Sequence, residues 1–369
     1  MEHPENDKAY KGLKVNEGVE ALGSVNPYLS QMRKKRVAQL SVDEYVQGIL
    51  RGDVTVLSRA VTLVESVLPE HQTIAQEVIE RCLPYSGNSV RVGITGVPGA
   101  GKSTSIDAFG MHVLSQGKGK LAVLAVDPSS ERSKGSILGD KTRMERLSLH
   151  PRAFIRPSAS SGSLGGVARK TRETIVLCEA AGYDTVFVET VGVGQSETAV
   201  CSMVDFFLLI QIAGAGDELQ GIKRGIMEMA DGIVINKADG DNVEAARHAA
   251  THYRNALQLF PMPVSGIRPS VLTYSGFFDL GIKEVWDMIT GYIAAAKNNG
   301  SFDVRRNNQQ KYWLYESLDE YIRNRFYNAP GMEELLKGYE QQLLSGKITS
   351  FVAASKALEY FDNKNRGEQ

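Results

Sequence analysis

Residues 96–103 read Gly96-Val97-Pro98-Gly99-Ala100-Gly101-Lys102-Ser103. They match the pattern GxxxxGK followed by Ser or Thr, and they lie between an apolar run and a helical stretch, as this phosphate-binding motif requires. The glycines let backbone N–H groups surround the β- and γ-phosphates of a nucleotide, and the dipole of the following helix adds positive potential. We expect Lys102 to reach the phosphate oxygens and Ser103 to ligate Mg²⁺. The predicted phosphate-contacting residues are Gly96, Gly99, Ala100, Gly101, Lys102, Ser103 and Thr104.

A second motif, Asn236-Lys237-Ala238-Asp239, ends a later apolar run. A carboxylate at Asp239 can accept hydrogen bonds from guanine N1–H and the 2-amino group. Adenine offers neither donor and would leave the carboxylate unpaired. Lys237 would lay its aliphatic stem over the base. Ser275 and Gly276 form a plausible further backbone contact to the guanine oxygen. The sequence therefore predicts binding of GTP and GDP over ATP.

Apolar, largely β-branched runs alternate with helical stretches beyond residue 88. The runs are residues 90–95, 121–126, 184–188, 205–212 and 232–236. Strands that alternate with helices form a parallel sheet covered on both faces. We predict a P-loop GTPase fold of the α/β class, a doubly wound, mostly parallel sheet with N-terminal and C-terminal helical extensions.

Three parts are expected along the chain. Residues 1–88 would form an arm and a helical region, residues 89–297 the P-loop GTPase domain, and residues 298–369 a C-terminal helical extension. Apolar stripes at helical spacing recur throughout the extension, so it must pack against something. It either folds back on its own GTPase domain or pairs with another subunit.

An acidic residue follows the apolar run at residues 186–188, and a glycine follows three positions later. Glu189 would contact the metal, through a water, where many GTPases have Asp, and Gly192 would sense the γ-phosphate. Asp127 is a second candidate for the Mg²⁺ shell. Asp140 is a third, with a helix cap or loop contact as its alternative.

The position after Gly192 is Val193, where small GTPases often place a water-orienting glutamine. Because valine cannot orient water, we predict slow intrinsic GTP hydrolysis that another group accelerates. Lys223 is favoured over Arg224 and Lys141 for this role. The small residues 214–216 before Lys223 suit a nucleotide-responsive loop, although an ordinary strand-to-helix turn is the alternative.

Bulk composition excludes several classes. A net charge of −1 over 369 residues argues against nucleic-acid binding. The three cysteines are far apart in sequence, which argues against a disulfide framework. No apolar run is long enough to span a bilayer, and the first residues lack the apolar core of a secretion signal. No membrane association and a cytoplasmic location are expected.

These motifs together resemble the MeaB-type G proteins, the family of P-loop GTPases that includes the methylmalonic aciduria type A protein. The resemblance rests on residues 96–104, 126–130, 189–197, 214–225 and 236–239. It implies a G-protein chaperone that gates adenosylcobalamin loading onto an acyl-CoA mutase of the methylmalonyl-CoA mutase type and protects that enzyme. It also implies a homodimer built through the C-terminal extension.

Residue roles follow from the same resemblance. Residues 214–225 correspond to an extra switch loop, which adds Lys223 to Lys102 and Glu189 as catalytic candidates. Asp127, Asp140 and Glu189 correspond to the acids near the metal.

Two other functions remain as alternatives. One is a kinase linked to basic amino-acid transport, an earlier assignment of this family. A kinase needs a base and an acceptor pocket near the γ-phosphate, and the sequence shows no such set. The other is a scaffold that binds GTP only structurally, which the intact phosphate-binding motif disfavours.

Overall fold

Strands and helices alternate along the chain as the sequence predicts. The computed structural model describes residues 39–126, 143–157, 164–190, 196–214 and 224–366. The strands are β1 Val90–Gly96, β2 Leu121–Val126, β3 Ala153–Arg156, β4 Thr185–Thr190, β5 Phe206–Ile212, β6 Gly232–Asn236 and β7 Ser270–Thr273. The helices in these ranges are α1 Val42–Leu50, α2 Val54–Glu65, α3 Pro69–Cys82, α4 Lys102–Ser115, α5 Glu145–Ser148, α6 Leu164–Ala180, α7 Ser196–Cys201, α8 Arg224–Met229, α9 Val243–Gln258, α10 Ile282–Asn298, α11 Ser301–Tyr327, α12 Met332–Leu344 and α13 Ser350–Arg366.

The strands form one seven-stranded sheet in the order β3-β2-β4-β1-β5-β6-β7. Each neighbouring pair is parallel, which confirms the predicted α/β class and makes the whole sheet parallel. Strand β1 lies between β4 and β5, with Ile94 opposite Glu189 and Gly96 opposite Ile210. The carboxyl ends of these strands therefore meet at one edge, where parallel sheets bind ligands.

Two edge strands, β3 and β7, were not anticipated from the sequence. Each has four residues, and only Phe154 of β3 and Val271 of β7 are buried. A run this short with one buried side chain carries no detectable period of two. The five longer strands have nearly all of their residues buried, which is why their apolar runs were visible.

Helices cover both faces of the sheet. On one face, Ile94 and Phe187 belong to a buried cluster that includes Phe109 of α4 and Ile289 of α10. The other face places Leu209, Ile233 and Ile235 in a second cluster, with Ala246, Ala250 and Tyr253 of α9. Full burial of each such large side chain contributes about 1.5–3 kcal/mol. Burial of these two apolar layers stabilises the sheet, whose carboxyl edge leads into the phosphate-binding motif.

A break at residues 52–53 separates the N-terminal helices α1 and α2. Gly52 has a φ of +74°, and Asp53 caps α2 by accepting hydrogen bonds from Thr55 N at 2.8 Å and Val56 N at 3.1 Å. Such a cap stabilises a helix by about 1 kcal/mol. Pro69 opens α3, where its missing N–H costs nothing.

The C-terminal extension consists of α11, α12 and α13. Several large apolar side chains of α11 are exposed, among them Tyr321 at 60% and Ile322 at 65%. Among the residues described, no helix combines the length and apolar character that a bilayer crossing requires.

Candidate nucleotide site

The phosphate-binding motif turns from β1 into α4 at the carboxyl edge of the sheet. Gly96 lies so close to β5 that a Cβ atom there would clash with the carbonyl oxygen of Ile210. Gly101 has a φ of +85°, and a Cβ there would lie 2.7 Å from Asn236 Nδ2. Gly96 is therefore required by the close approach of the β5 backbone, and Gly101 by its positive φ and the nearby Asn236 amide, besides any need of a phosphate.

Lys102 and Ser103 begin α4. The Nζ atom of Lys102 donates a hydrogen bond to the carbonyl oxygen of Gly96 at 3.0 Å, so its side chain folds over the loop. Ser103 Oγ donates to Glu189 Oε1 at 3.3 Å. Thr104 lies half-buried in the same helical turn. The predicted lysine, hydroxyl and carboxylate thus lie on one side of the loop.

Glu189 lies at the end of β4 with only 4% of its surface exposed. The next residue, Thr190, is fully buried and donates to Thr95 Oγ1 of β1 at 2.8 Å. A buried carboxylate beside a serine hydroxyl is an oxygen donor set of the kind that Mg²⁺ prefers. Within the described ranges there is no cluster of three His, Cys, Asp or Glu side chains that could hold a metal alone.

Asn236 connects the phosphate loop to the loop that follows β7. Its Nδ2 atom donates to the carbonyl oxygen of Ala100 at 2.7 Å, and its Oδ1 atom accepts from Gly276 N at 3.0 Å. The Lys237 N–H also donates to that Oδ1 atom, at 2.8 Å. Since both ends of the amide are used, the side chain has one defined orientation. The N–H group of Gly276, expected at the guanine oxygen, is engaged by Asn236 here.

Asp239 is held by a neighbouring hydroxyl. Ser275 Oγ donates to Asp239 Oδ2 at 2.6 Å, which fixes one carboxylate oxygen. Lys237 has a φ of +60° and an exposed side chain. A left-handed conformation at a residue other than glycine costs about 1–3 kcal/mol, and such strain concentrates at functional sites. The sequence pointed to the backbone at Ser275, whereas the structure gives its hydroxyl a contact.

A buried pair beneath the site was missed by sequence reasoning. Tyr274 OH and Ser105 Oγ are 2.6 Å apart, and the Tyr274 ring stacks on Phe109 with centroids 5.4 Å apart. Ser105 Oγ also contacts the carbonyl oxygen of Gly101 at 2.8 Å. Burial raises the pKa of Tyr274, so its hydroxyl stays protonated. A tyrosine after a four-residue strand belongs to no motif, so nothing in the sequence indicated this contact.

Arg146 adds a second connection to the same loop. Its Nε atom contacts Asp107 Oδ2 of α4 at 2.6 Å, and its Nη1 atom contacts Asp279 Oδ2 at 2.7 Å. Hydrogen bonds with Asp279 and then Asp107 raise the pKa of Arg146. The arginine therefore joins the phosphate-loop helix to the loop that begins at Ser275.

Four predicted site residues lie outside the described residues. They are Asp127, Asp140, Gly192 and Lys223. The remaining ones converge on the carboxyl edge of the sheet. Lys102, Ser103 and Glu189 lie on the phosphate side. Asp239 and Ser275 lie on the base side, and Asn236 joins the two.

A family model matches most of this chain. The family described as "Methylmalonyl Co-A mutase-associated GTPase MeaB" matches residues 57–331. That span includes every strand and all of the site residues described above.

Individual relatives agree with the family match. A probable GTPase of Mycobacterium tuberculosis is 49% identical over 86% of this chain and 95% of that protein. The GTPase ArgK of Escherichia coli is 46% identical over 84% of this chain and 93% of that protein. The mitochondrial methylmalonic aciduria type A homolog of Mus musculus is 43% identical over 89% of this chain and 81% of that protein.

A solved structure shares the architecture. It is described as a LAO/AO transport system kinase and superposes with a TM-score of 0.69 at 36% identity. The match covers 88% of this chain and all of the other.

Proposed function

This chain belongs to the MeaB family of methylmalonyl-CoA mutase-associated GTPases. From that premise we propose that its nucleotide state gates the loading of adenosylcobalamin onto an acyl-CoA mutase of the methylmalonyl-CoA mutase type and protects that enzyme from inactivation. GTP hydrolysis to GDP and phosphate is the activity of the chain, because its family and its relatives at 46–49% identity are GTPases. The control of a mutase goes beyond GTP hydrolysis and is our proposal.

The main support for the nucleotide assignment is that the side chain of Asn236 contacts two loops at once. One amide end holds the phosphate loop at Ala100, and the other holds the base loop at Gly276. A ligand that contacts both loops would span a triphosphate and a base. The carboxylate of Asp239, oriented by Ser275, supports guanine as that base.

We assign roles to the site residues on the same basis. Lys102 would move from Gly96 O to the β- and γ-phosphate oxygens. Ser103 and Glu189 would hold Mg²⁺, with Asp127 and Asp140 near it and Gly192 at the γ-phosphate. When bound, Mg²⁺ neutralises charge that develops on the phosphates.

Hydrolysis by the isolated chain is proposed to be slow. Val193 cannot orient the attacking water, so Lys223 would supply the missing stabilisation. A single-turnover assay of the pure protein would contradict this if GTP were consumed at a rate typical of a GTPase that already has its activating group. If the proposal holds, the substitution Lys223→Ala should leave the slow basal rate of GTP hydrolysis unchanged and remove any stimulated rate.

The nucleotide assignment is tested by competition binding. The parent protein should bind labelled GTP, and unlabelled GDP should displace it while ATP should not. Lys102→Ala should weaken GTP binding by at least about tenfold, since a charged hydrogen bond contributes about 1.5–3 kcal/mol. Lys337→Ala, on an exposed surface of α12, is the matched control. Equal displacement by ATP would overturn the assignment.

The mutase role is tested by nucleotide-dependent association. The protein should co-purify with an adenosylcobalamin-dependent acyl-CoA mutase in one nucleotide state more than in the other. The mutase should also take up adenosylcobalamin at a rate that depends on GTP. Identical association and uptake with GTP, GDP or neither would refute the role.

The kinase alternative is not favoured, because the matching family and two of the relatives described above are named GTPases. A γ-labelled GTP experiment distinguishes the two. Free labelled phosphate supports the GTPase, whereas label transferred to an acceptor supports the kinase.

A further inference from the structure

Three side chains of α11 contact the turn that ends α7. Arg305, Gln309 and Trp313 are spaced by four residues, so they lie on one face of the helix. The turn is formed by residues 201–204, between α7 and β5. We call these three side chains the α11 latch.

The α11 latch donates hydrogen bonds to backbone carbonyls of the turn 201–204. Gln309 Nε2 donates to Val204 O at 2.7 Å and to Cys201 O at 3.5 Å, and Trp313 Nε1 donates to Ser202 O at 3.0 Å. A carbonyl group in a buried turn needs such a donor, because an unpaired buried backbone group is costly. Gln309 and Trp313 are 5% and 6% exposed, so these bonds are shielded from water.

The same face also reaches the end of α8. Arg305 Nη1 contacts Asp231 Oδ2 at 2.7 Å, two residues after α8 ends, and its Nη2 atom lies 3.9 Å from Cys201 Sγ. The Cys201 thiol in turn points to Met229 O, the last residue of α8, at 4.0 Å. Cys201 and Asp231 thus bring the ends of α7 and α8 to one helix of the C-terminal extension.

The positions of α7 and α8 in the sequence relate these contacts to the proposed nucleotide site. α7 begins four residues after Gly192, the proposed γ-phosphate sensor, and α8 begins directly after Lys223. A shift at either residue would be carried along a short helix to its far end. Because the far ends of α7 and α8 contact Arg305, Gln309 and Trp313, a displacement of either helix would also change these contacts.

Gln309 carries a further observation. Its amide orientation is fixed, because both partners of Nε2 are carbonyl oxygens, and its Oε1 atom is then buried without a hydrogen-bond partner among the described residues. An unsatisfied buried acceptor is costly, so an arrangement of the turn that gave Oε1 a donor would be favoured.

We infer that Gln309 and Trp313 are positioning residues of the GTPase site, which act through the turn 201–204 and couple the bound nucleotide to the C-terminal extension. The inference rests on the proposed function, since it requires that the chain bind GTP and GDP at the carboxyl edge of the sheet. By linkage, if the nucleotide changes the latch, breaking the latch changes the relative affinity for the two nucleotides.

The first test compares two substitutions of the same chemistry. Gln309→Leu removes the latch amide, and Gln310→Leu alters the exposed neighbour on the same helix. The ratio of Kd for GDP to Kd for a non-hydrolysable GTP analogue should change at least about fivefold in the first variant, the lower end of ordinary allosteric coupling. It should stay unchanged in the second. An unchanged ratio in a folded Gln309→Leu protein would overturn the inference.

The second test needs no disruptive substitution. The chain has two tryptophans, so Trp286→Phe leaves Trp313 as the single emitter. Its emission maximum or intensity should differ between the GDP-bound and analogue-bound forms. Identical emission in both forms would also overturn the inference, even if Gln309→Leu failed to fold.

These outcomes separate the two proposals. A parent protein that binds neither nucleotide would remove the proposed function and the coupling with it. A parent that binds both, with constant Trp313 emission and a constant affinity ratio in Gln309→Leu, would leave the GTPase assignment in place and refute the coupling alone.

Discussion

The proposed base recognition involves two side chains, Asp239 and Ser275, which share one short hydrogen bond. The hydroxyl of Ser275 uses one lone pair of Asp239 Oδ2, at 2.6 Å, and restricts rotation of the carboxylate. A preoriented acceptor loses less conformational entropy when it binds a ligand. We therefore expect specificity for guanine to depend on this pair, with Lys237, whose φ is +60°, two residues before Asp239.

The substitution Asp239→Asn tests this arrangement at the residue scale. The amide would present an N–H donor toward guanine's 2-amino group, so GTP affinity should fall by at least about a hundredfold, as for an unpaired donor in a polar site. Xanthosine triphosphate carries an oxygen at that position and should bind the variant better than GTP. Competition with the two nucleotides measures both effects.

Asp241→Asn, two residues on and outside the contact with Ser275, is the control for that experiment. It should leave the preference for GTP intact. If Asp239→Asn also retained that preference, guanine would have to be recognised by another group.

Part of the site was predictable from the sequence because its chemistry is local. Lys102, Ser103 and Asp239 belong to short motifs whose spacing alone brings them to a ligand. Tyr274 and Arg146 were missed because their partners are remote: Ser105 lies 169 residues from Tyr274, and Asp279 lies 133 from Arg146. Only the folded sheet brings such residues together.

A buried ion pair joins β1 to α6 at the scale of elements. Arg91 contacts both oxygens of Glu179, at 2.8 and 2.9 Å, and Gly87 N donates to the same carboxylate at 2.7 Å. The Glu179 side chain is 1% exposed. Burial alone would raise the pKa of Glu179, but the hydrogen bonds and charge of Arg91 lower it overall. The pair therefore stabilises the fold only while the carboxyl is ionised.

Acid unfolding of Glu179→Gln provides the test. A carboxyl with a lowered pKa in the folded state contributes stability above its unfolded pKa, ~4.3 for Glu, and loses it as the pH falls through the folded pKa. The variant should be about 3 kcal/mol less stable at neutral pH, because Arg91 is left buried without its partner. Below pH ~4 its stability should fall less steeply than that of the parent.

Urea unfolding at a series of pH values measures both quantities. Glu334→Gln, on the exposed side of α12, should behave like the parent throughout. Parallel pH curves for the parent and Glu179→Gln would show that this ion pair does not account for the acid sensitivity.

The type of most elements was evident from the sequence, whereas the sheet edges were not. The central strands are buried on both faces, so each gives a continuous apolar run. β3 and β7 have neighbours on one side only. Their partial burial relaxes the requirement for apolar residues, and no pattern remains to be detected.

Exposed apolar surface on the C-terminal extension is the main feature at the scale of the whole chain. Leu314, Tyr315, Leu318, Tyr321 and Ile322 of α11 are each at least 45% exposed. An apolar group of this size on a helix is typical of a protein–protein interface. It supports the proposed homodimer over an extension that packs only on its own GTPase domain.

Ile322→Asp should therefore weaken self-association. A charge at an apolar interface is costly to desolvate, and the dimer affinity should fall at least about tenfold. Light scattering across a range of protein concentrations reports the change. Asn307→Asp, an exposed substitution near the start of α11, should leave the dimer unaffected. A parent protein that is monomeric at all concentrations would contradict the dimer proposal.

The contacts of Arg306 bear on whether the chain can be shortened before α11. Its guanidinium binds the buried Asp205 carboxylate at 2.8 Å and also donates to the backbone oxygens of Gly87 and Ser89. A fragment cut before α11 would lose these contacts and leave the buried Asp205 carboxylate without its cationic partner. Such a fragment should therefore be less stable than the full chain.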